Sequence, residues 1–338
     1  MKASIHDVAR EAQVSISTIS RVLNATGPVS EETRQRVLRA ARRLGYVPNV
    51  SARSLKISQS RTIGLLVRSI ANPFFVPMIH EIKRQLNLRG IPFLVEPVED
   101  GQDELTKAAY LAADKKLCGV ILIGGQYDHT EQQFLQLAGV PCTMLTFTAP
   151  DAPRPLYSSV IIDDMREASK AVEYLISLGH RDICFFAKLP NSENTTGYRR
   201  MMGYRMALEA HGLPFRPQLV QDCEYTAASG FAAMQALQMR GIPFTAAFAA
   251  SDTIATGVAK AVLTSGRRIP EDISIVGFDG IEAAEYYHPS LDTVAQPAVE
   301  MASAGLGLLF EQMQGGQTDH LVFEASLIKR GSARRMEI

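Results

Sequence analysis

The 338-residue sequence has no apolar run approaching the roughly 18–20 residues that cross a bilayer, and Met1-Lys2-Ala3-Ser4-Ile5-His6-Asp7 lacks the apolar centre of a secretory signal. A cytoplasmic location is expected. Cysteine is scarce: Cys118, Cys142, Cys184 and Cys223 lie far apart, form no CxxC, and the first three sit in apolar stretches. Buried thiols are therefore expected, not disulfides or metal ligands. Also missing are GxSxG, HExxH, the P-loop GxxxxGK[ST] and GxGxxG, and the seven histidines show no metal-ligand spacing. Neither an enzyme nor a cofactor is expected, and His180, just after Gly179, reads as a cap for helix-end carbonyls. Net charge is zero, 35 basic against 35 acidic residues, which taken as an average argues against a nucleic-acid partner. The 46% hydrophobic content fits an ordinary globular chain, and the length suggests about two or three units.

The average hides an asymmetry. Residues 1–60 hold ten Lys and Arg against Asp7, Glu11, Glu31 and Glu32, a net +6, which leaves 25 basic and 31 acidic residues in the other 278. An anion-binding head on a separate body follows. In the head, Ile5, Val8, Ala9 and Ala12 mark one helix face, with Ser4 as cap. Ser15 can cap a second helix that turns Ile19, Val22 and Leu23 inward and Ile16, Ser17, Ser20 and Arg21 outward. Ser30 starts a third, with Glu31 and Glu32 at its positive end, burying Val37, Ala41 and Leu44 before Gly45. Two readings fit: a helix-turn-helix, or a three-helix bundle used for docking. In the first, Arg21 suits a bidentate contact to guanine, Ser17 a hydrogen bond and Ile16 a thymine methyl. Beyond Pro48, a short helical stretch places Leu55 between Arg53 and Lys56. It is either an apolar wedge flanked by cations for the minor groove, or a plain linker.

The runs Ile5-His6-Asp7-Val8-Ala9-Arg10-Glu11-Ala12 and Val14-Ser15-Ile16-Ser17-Thr18-Ile19-Ser20-Arg21-Val22-Leu23-Asn24 closely resemble the head of the lactose/galactose-repressor (LacI/GalR) family. The likeness continues through Leu44-Gly45-Tyr46-Val47-Pro48-Asn49, Ala52-Arg53-Ser54-Leu55, Asn72-Pro73-Phe74-Phe75, Leu178-Gly179-His180-Arg181 and the run 269–279 ending Gly277-Phe278-Asp279. It implies a homodimeric repressor of double-stranded operator DNA, with Ile16, Ser17 and Arg21 reading bases. It also implies that Thr18, Asn24, Tyr46 and Asn49 lie near phosphates, and that Leu55 beside Lys56 is the lever of a hinge helix. Two heads on a two-fold axis predict a pseudo-palindromic operator. With only 331–338 after Arg330 and no leucine heptads, a dimer is expected.

From residue 61, β-rich runs at 62–67, 91–95, 118–124 and 141–147 alternate with helical segments near 73–89, 103–117 and 130–138. A second series has strands at 159–162, 182–186, 246–249 and 273–278, with helices near 165–178, 197–211, 227–240 and 252–265. Parallel sheets with crossover helices follow. The expected fold is an all-α helix-turn-helix head (1–46), a hinge helix and linker (47–60), and an α/β two-lobed body of periplasmic-binding-protein type I likeness. Its N-lobe is expected at about 61–159 and 292–320, and its C-lobe at about 160–291 and 321–338. Thr293 to Pro297 and the helix after them should rejoin the first lobe, and the run 321–329 should cross to the second.

Ligands bind beyond the carboxyl ends of such strands, so the resemblance points to a small effector in a cleft between the lobes. By resemblance, Asp279 accepts effector hydroxyls, Arg200 clamps the ligand, and Tyr225, Phe74 and Phe147 are aromatic walls. Ser251 can hydrogen-bond a ligand, while Asp252, Asp163 and Asp164 read as helix caps. Many family members have aspartate at the place of Thr146, and purine-sensing members have arginine at the place of Asn194. Those departures weaken the lactose, galactose and purine analogies and leave a sugar, sugar acid or sugar phosphate as the expected class. An extracytoplasmic sugar-binding protein, or a regulator sensing another metabolite or a partner protein, are the competing readings.

Overall fold

A computed structural model describes residues 5–23, 29–44, 61–99, 101–125, 129–189 and 195–336. Its chain divides into two compact units. The first comprises 1–70, 79–160 and 302–321; the second comprises 71–78, 161–301 and 322–338.

The head belongs to the first unit and contains α1 (Ile5–Ala12), α2 (Ile16–Leu23) and α3 (Glu31–Arg43). Val8, Ala12, Ile19 and Val37 are fully buried together in one small core. Two of the expected caps form: Thr18 N donates to Ser15 Oγ at 3.2 Å and Thr33 N to Ser30 Oγ at 3.3 Å, while Ser4 lies outside the described residues. Leu44, expected inside, is only partly buried at the edge of that core.

The rest of the first unit is a six-stranded sheet ordered β11-β5-β4-β3-β1-β2. Its strands are β1 (Ile63–Arg68), β2 (Phe93–Val98), β3 (Gly119–Ile123), β4 (Cys142–Leu145), β5 (Ser158–Ile162) and β11 (His320–Phe323). The pairs among β1 to β5 are parallel. Crossover helices α4 (Phe75–Leu88), α5 (Glu104–Asp114) and α6 (Glu131–Gln136) join them. β3 is buried along its whole length, as its unbroken Gly-Val-Ile-Leu-Ile run requires of a strand covered on both faces.

The second unit repeats the design with order β12-β10-β9-β8-β6-β7: β6 (Ile183–Ala187), β7 (Val220–Asp222), β8 (Ala246–Ala249), β9 (Ser274–Asp279), β10 (Asp292–Ala295) and β12 (Ser326–Ile328). Its helices are α7 (Asp164–Ser177), α8 (Thr196–Ala210), α9 (Ala227–Met239), α10 (Asp252–Thr264), the short α11 (Glu282–Tyr286) and α12 (Ala298–Met313), the last running into the first unit from residue 302. β12 alone runs antiparallel, against β10. At the centre, Phe185 stacks on Tyr204 (centroids 5.3 Å apart) and tilts against Phe248 (5.4 Å), which meets Phe278 (6.4 Å).

Two expectations need correction. Thr293 does not rejoin the first lobe: β10 lies parallel to β9, with Thr293 opposite Gly277, and the chain leaves the second unit only after Met301. The cause is Asp292, buried between the Tyr174 hydroxyl (2.8 Å) and the amides of Arg330 and Ser332 (both 3.0 Å). The return crossing is also later than expected, since β11 completes the first sheet before β12 joins the second. His180 does cap α7, its amide donating to the Leu175 carbonyl at 3.2 Å, and its ring goes elsewhere. It bonds the Thr245 hydroxyl at 2.9 Å and the Arg334 carbonyl at 3.2 Å, tying three segments together. All four cysteines are free, with Cys118 only half-buried.

Helices α9 and α10 touch through glycine: a Cβ on Gly257 would lie 1.9 Å from the Ala227 carbonyl oxygen. Gly307, in α12, has nothing within 4 Å of its Cβ position. Gly257→Ala should therefore lower the thermal midpoint at a cost of about 1–3 kcal/mol, whereas Gly307→Ala should leave it level or raise it by the roughly 0.5–1 kcal/mol of helix propensity. Equal midpoints for the two variants would disprove the close helix contact.

Candidate functional site

In the head, α2 presents Ile16 at 42% exposure together with exposed Ser17 and Arg21. The Ser15 hydroxyl bonds those of Ser17 (2.7 Å) and Thr18 (2.9 Å), which fixes the first turn of that helix. Of Ser20, the backbone lies in α2 and the side chain is outside what is described; Asn24, Tyr46, Asn49, Arg53, Leu55, Lys56 and Asn194 lie outside the described residues altogether.

The second unit gathers charge beyond the carboxyl ends of β6, β8 and β9. Arg200, 4% exposed on α8, donates from Nε to Asp164 Oδ1 at 2.8 Å and from Nη1 to the Ala250 carbonyl, with Asp279 Oδ1 3.4 Å away. Its guanidinium lies 3.7 Å over the Phe278 ring. Burial by itself would lower the guanidinium's proton affinity, but Asp164 and then Asp279 overcome it and hold it above the ordinary arginine value. Asp279 stands at φ 109° and accepts Gln296 Nε2 at 2.8 Å. Burial pushes its carboxyl up to about 7, against the pull of Arg200.

Tyr225 belongs to the same set, within electrostatic reach of Arg200 and Asp279, and burial raises its phenol. Its hydroxyl is buried with no hydrogen-bond partner. Such an orphan costs about 1–3 kcal/mol, a debt that a bound hydroxyl or carbonyl would cancel.

Ser251 and Asp252 exchange their expected places. Ser251 is the cap, accepting from Ile254 N at 3.1 Å. Asp252 instead grips the loop that follows β9, accepting Gly280 N (2.7 Å), Ile281 N (2.9 Å) and the Thr293 hydroxyl (2.6 Å). A Cβ on Gly277 would lie 2.1 Å from Asp252 Oδ1, so only glycine there admits this reach. Likewise Asp163 caps α7, accepting Arg166 N at 3.2 Å, and its neighbour Asp164 is the arginine's partner. The sequence reading missed Asp164, Asp252 and Gln296 as site residues. The usable signal was the doublet of a cap followed by an acid that the cap leaves unneeded.

In the first unit lies Phe147, expected as an aromatic wall of the effector site. It is fully buried in the core, because Thr146 turns the chain at φ 72°, with its amide on the Val160 carbonyl (2.9 Å), as β4 ends. Phe74, in the second unit, is also buried, its amide bonded to Asn72 Oδ1 at 3.1 Å and its ring 5.4 Å from that of Phe75. No described helix is long and apolar enough to cross a membrane.

A helix-turn-helix head and a body of two parallel sheets with a buried arginine-carboxylate site describe a ligand-responsive DNA-binding regulator, not an enzyme. Two family descriptions match: "Bacterial regulatory proteins, lacI family" over residues 4–49 and "Periplasmic binding protein-like domain" over 172–333. The transcriptional regulator MalR of Clostridium butyricum is 34% identical over 97% of this chain and 98% of its own. Among solved structures, the regulator CelR in complex with cellobiose matches with TM-score 0.74 at 32% identity, covering 98% of this chain and 99% of that one. The lac repressor dimer bound to operator and an anti-inducer matches with TM-score 0.70 at 28% identity, covering 99% and 100%. The chain belongs to the LacI family of bacterial regulatory proteins.

The two buried carboxyls make stability depend on pH. Burial raises Asp252 to about 6, against bonds from Thr293 and the amides of Ile281 and Gly280, and Asp279 to about 7. A raised carboxyl favours the protonated folded state, so its contribution is complete below the unfolded value near about 4 and is lost as pH rises through about 6 to 7. The thermal midpoint of the ligand-free protein should fall from about pH 5 to about pH 8, and Asp279→Asn should flatten that fall; an unchanged slope would place the titration elsewhere.

Proposed function

We propose that the protein is a dimeric repressor that binds a pseudo-palindromic operator through Ile16, Ser17 and Arg21 and is released or engaged by a small neutral sugar at the Arg200 site. Thr18, Ser20, Asn24, Tyr46, Asn49 and Arg53 would contact the backbone or flank the readers, with Leu55 and Lys56 at the operator centre. Such a regulator works where its operator is, in the cytoplasm.

The observation that carries the effector reading is the orphan Tyr225 hydroxyl beside a guanidinium already matched by carboxylates. Arg200 has Asp164 at 2.8 Å and Asp279 at 3.4 Å, so no positive charge is left over for a ligand. A sugar acid or sugar phosphate would bring further negative charge to a buried set whose one cation is already balanced by Asp164 and which also holds the acid of Asp279, and a neutral polyol would not. Its hydroxyls would donate to Asp279 and pair with Tyr225, while Arg200 serves as a donor held in place. The cellobiose bound to a relative is a ligand of this class. Control requires different affinities of the sugar for the DNA-binding and released states.

Duplexes selected by the full-length protein from a random pool should converge on an inverted repeat, and Arg21→Ala should lose about 1–3 kcal/mol of affinity for it. A thermal-shift panel should return neutral sugars ahead of sugar acids and phosphates. Tyr225→Phe should leave ligand-free stability level or higher, since it deletes an unbonded hydroxyl, yet weaken the sugar by about 1 kcal/mol. If Tyr225→Phe bound the sugar as well as the parent, the site would be misplaced.

A further inference from the structure

A second buried polar cluster lies in the first unit, apart from the Arg200 site. Asp103 caps α5, Glu104 is its first residue, and His129 precedes α6; one ligand atom from each lies within 4.8 Å of the others. His129 and Glu104 are each 1% exposed. The carboxylates are held from outside: Asp103 Oδ1 accepts Thr106 N (2.6 Å), its Oδ2 accepts Gln133 Nε2 (2.7 Å), and Glu104 Oε1 accepts Arg68 Nε (2.7 Å).

The imidazole is the anomaly. Neither ring nitrogen makes a hydrogen bond, although Nδ1 stands 3.3 Å from Asp103 Oδ2 and Nε2 stands 3.5 Å from Glu104 Oε2. A neutral imidazole has one N–H and one lone pair. With a carboxylate opposite each nitrogen, a neutral ring turns one lone pair towards an anion in a buried setting, which is unfavourable unless a second proton or a metal cation stands between them. Around a neutral His129 the two carboxylates outweigh Arg68 by one negative charge.

We propose that Asp103, Glu104 and His129 form a binding site for a divalent transition-metal ion of the zinc type. Zinc takes nitrogen and carboxylate oxygen at about 2.0–2.2 Å in a tetrahedron, which sets ligand atoms about 3.3–3.6 Å apart; each ring nitrogen stands at that spacing from the one carboxylate it faces, and with the third ligand atom already within 4.8 Å a small side-chain turn completes the set. One ring nitrogen binds the ion and the other donates its N–H to a carboxylate, the pattern that orients metal-bound histidines. Gln133, Thr106 and Arg68 are the outer contacts that aim the carboxylates. One imidazole in the set favours zinc over magnesium or calcium, which prefer oxygen alone. Asp103, 31% exposed, offers the way in. The ion would fasten the start of α5 to the loop after β3 beside Phe147, whose ring is 6.0 Å from His129.

The test uses the full-length protein, stripped of metal and titrated with zinc chloride by calorimetry, with magnesium chloride in parallel. One zinc per chain, a higher thermal midpoint with zinc and no response to magnesium are expected. His129→Gln should weaken zinc at least tenfold; should that variant not fold, Asp103→Asn takes its place, since its remaining oxygen still caps α5. No zinc binding by the parent would overturn the proposal, as would zinc binding of parental strength in the variants, which would place the ion on other histidines. Neither result bears on the sugar site, which is read separately through Tyr225→Phe.

Discussion

A guanidinium cannot be taken out of water alone, and the second unit is organised around that constraint at Arg200. Its charge is met by Asp164 and Asp279, another N–H by the Ala250 carbonyl, and its flat face by Phe278 at 3.7 Å. Each partner has its own support. Phe278 ends the aromatic column that begins with Phe185 and Tyr204, so the cation rests on the core. Asp279 holds a left-handed backbone, φ 109°, that costs an ordinary residue about 1–3 kcal/mol. Asp252 offsets this by gripping the next two amides, and Gly277 leaves room for it to do so.

The same electrostatics separates the protein's two tasks along the chain. The +6 surplus of residues 1–60 suits a polyanion, for which long-range attraction supplies affinity, and the proposed reading assigns discrimination to the exposed side chains on α2. The body carries the compensating negative charge, and its buried arginine has no excess charge to offer. Under the proposed reading, recognition there comes from matching donors to acceptors on a neutral ligand. The whole-chain balance of zero conceals both arrangements, which explains why it misleads if taken as an average.

Much of this was readable in the sequence because it depends on neighbours a few residues apart. Ser15 and Ser30 announce helix starts through the i to i+3 geometry of their own turns, and the short, mostly β-branched run Val120, Ile121, Leu122 and Ile123 reads as a covered strand. Arg200 and Asp279 were legible through family likeness. What was missed depends on long-range pairing. β7 has three residues and no pattern of its own, β10 is claimed by the second sheet through Asp292 and its partners 38 and 40 residues away, and Phe147 is drawn into the core by a left-handed turn at Thr146. Nothing local distinguishes a buried aromatic from a pocket wall.

The acidic residues show a regularity that joins both units. Asp103-Glu104, Asp163-Asp164 and Ser251-Asp252 each begin a helix that follows a strand, and each divides its work in the same way. The first residue caps, accepting the amide of Thr106, Arg166 or Ile254. The second, at the first helical position, is buried and reaches across to Arg68, to Arg200, or to the Gly280 and Ile281 amides. An anion at that position is favoured by the helix dipole, which lowers the cost of burying it and leaves its oxygens for a distant partner. A cap alone would have sufficed to start each helix. The extra acid places a fixed negative charge at the carboxyl end of a parallel sheet, where α/β folds bind ligands, and the fold has done so in both of its sheets.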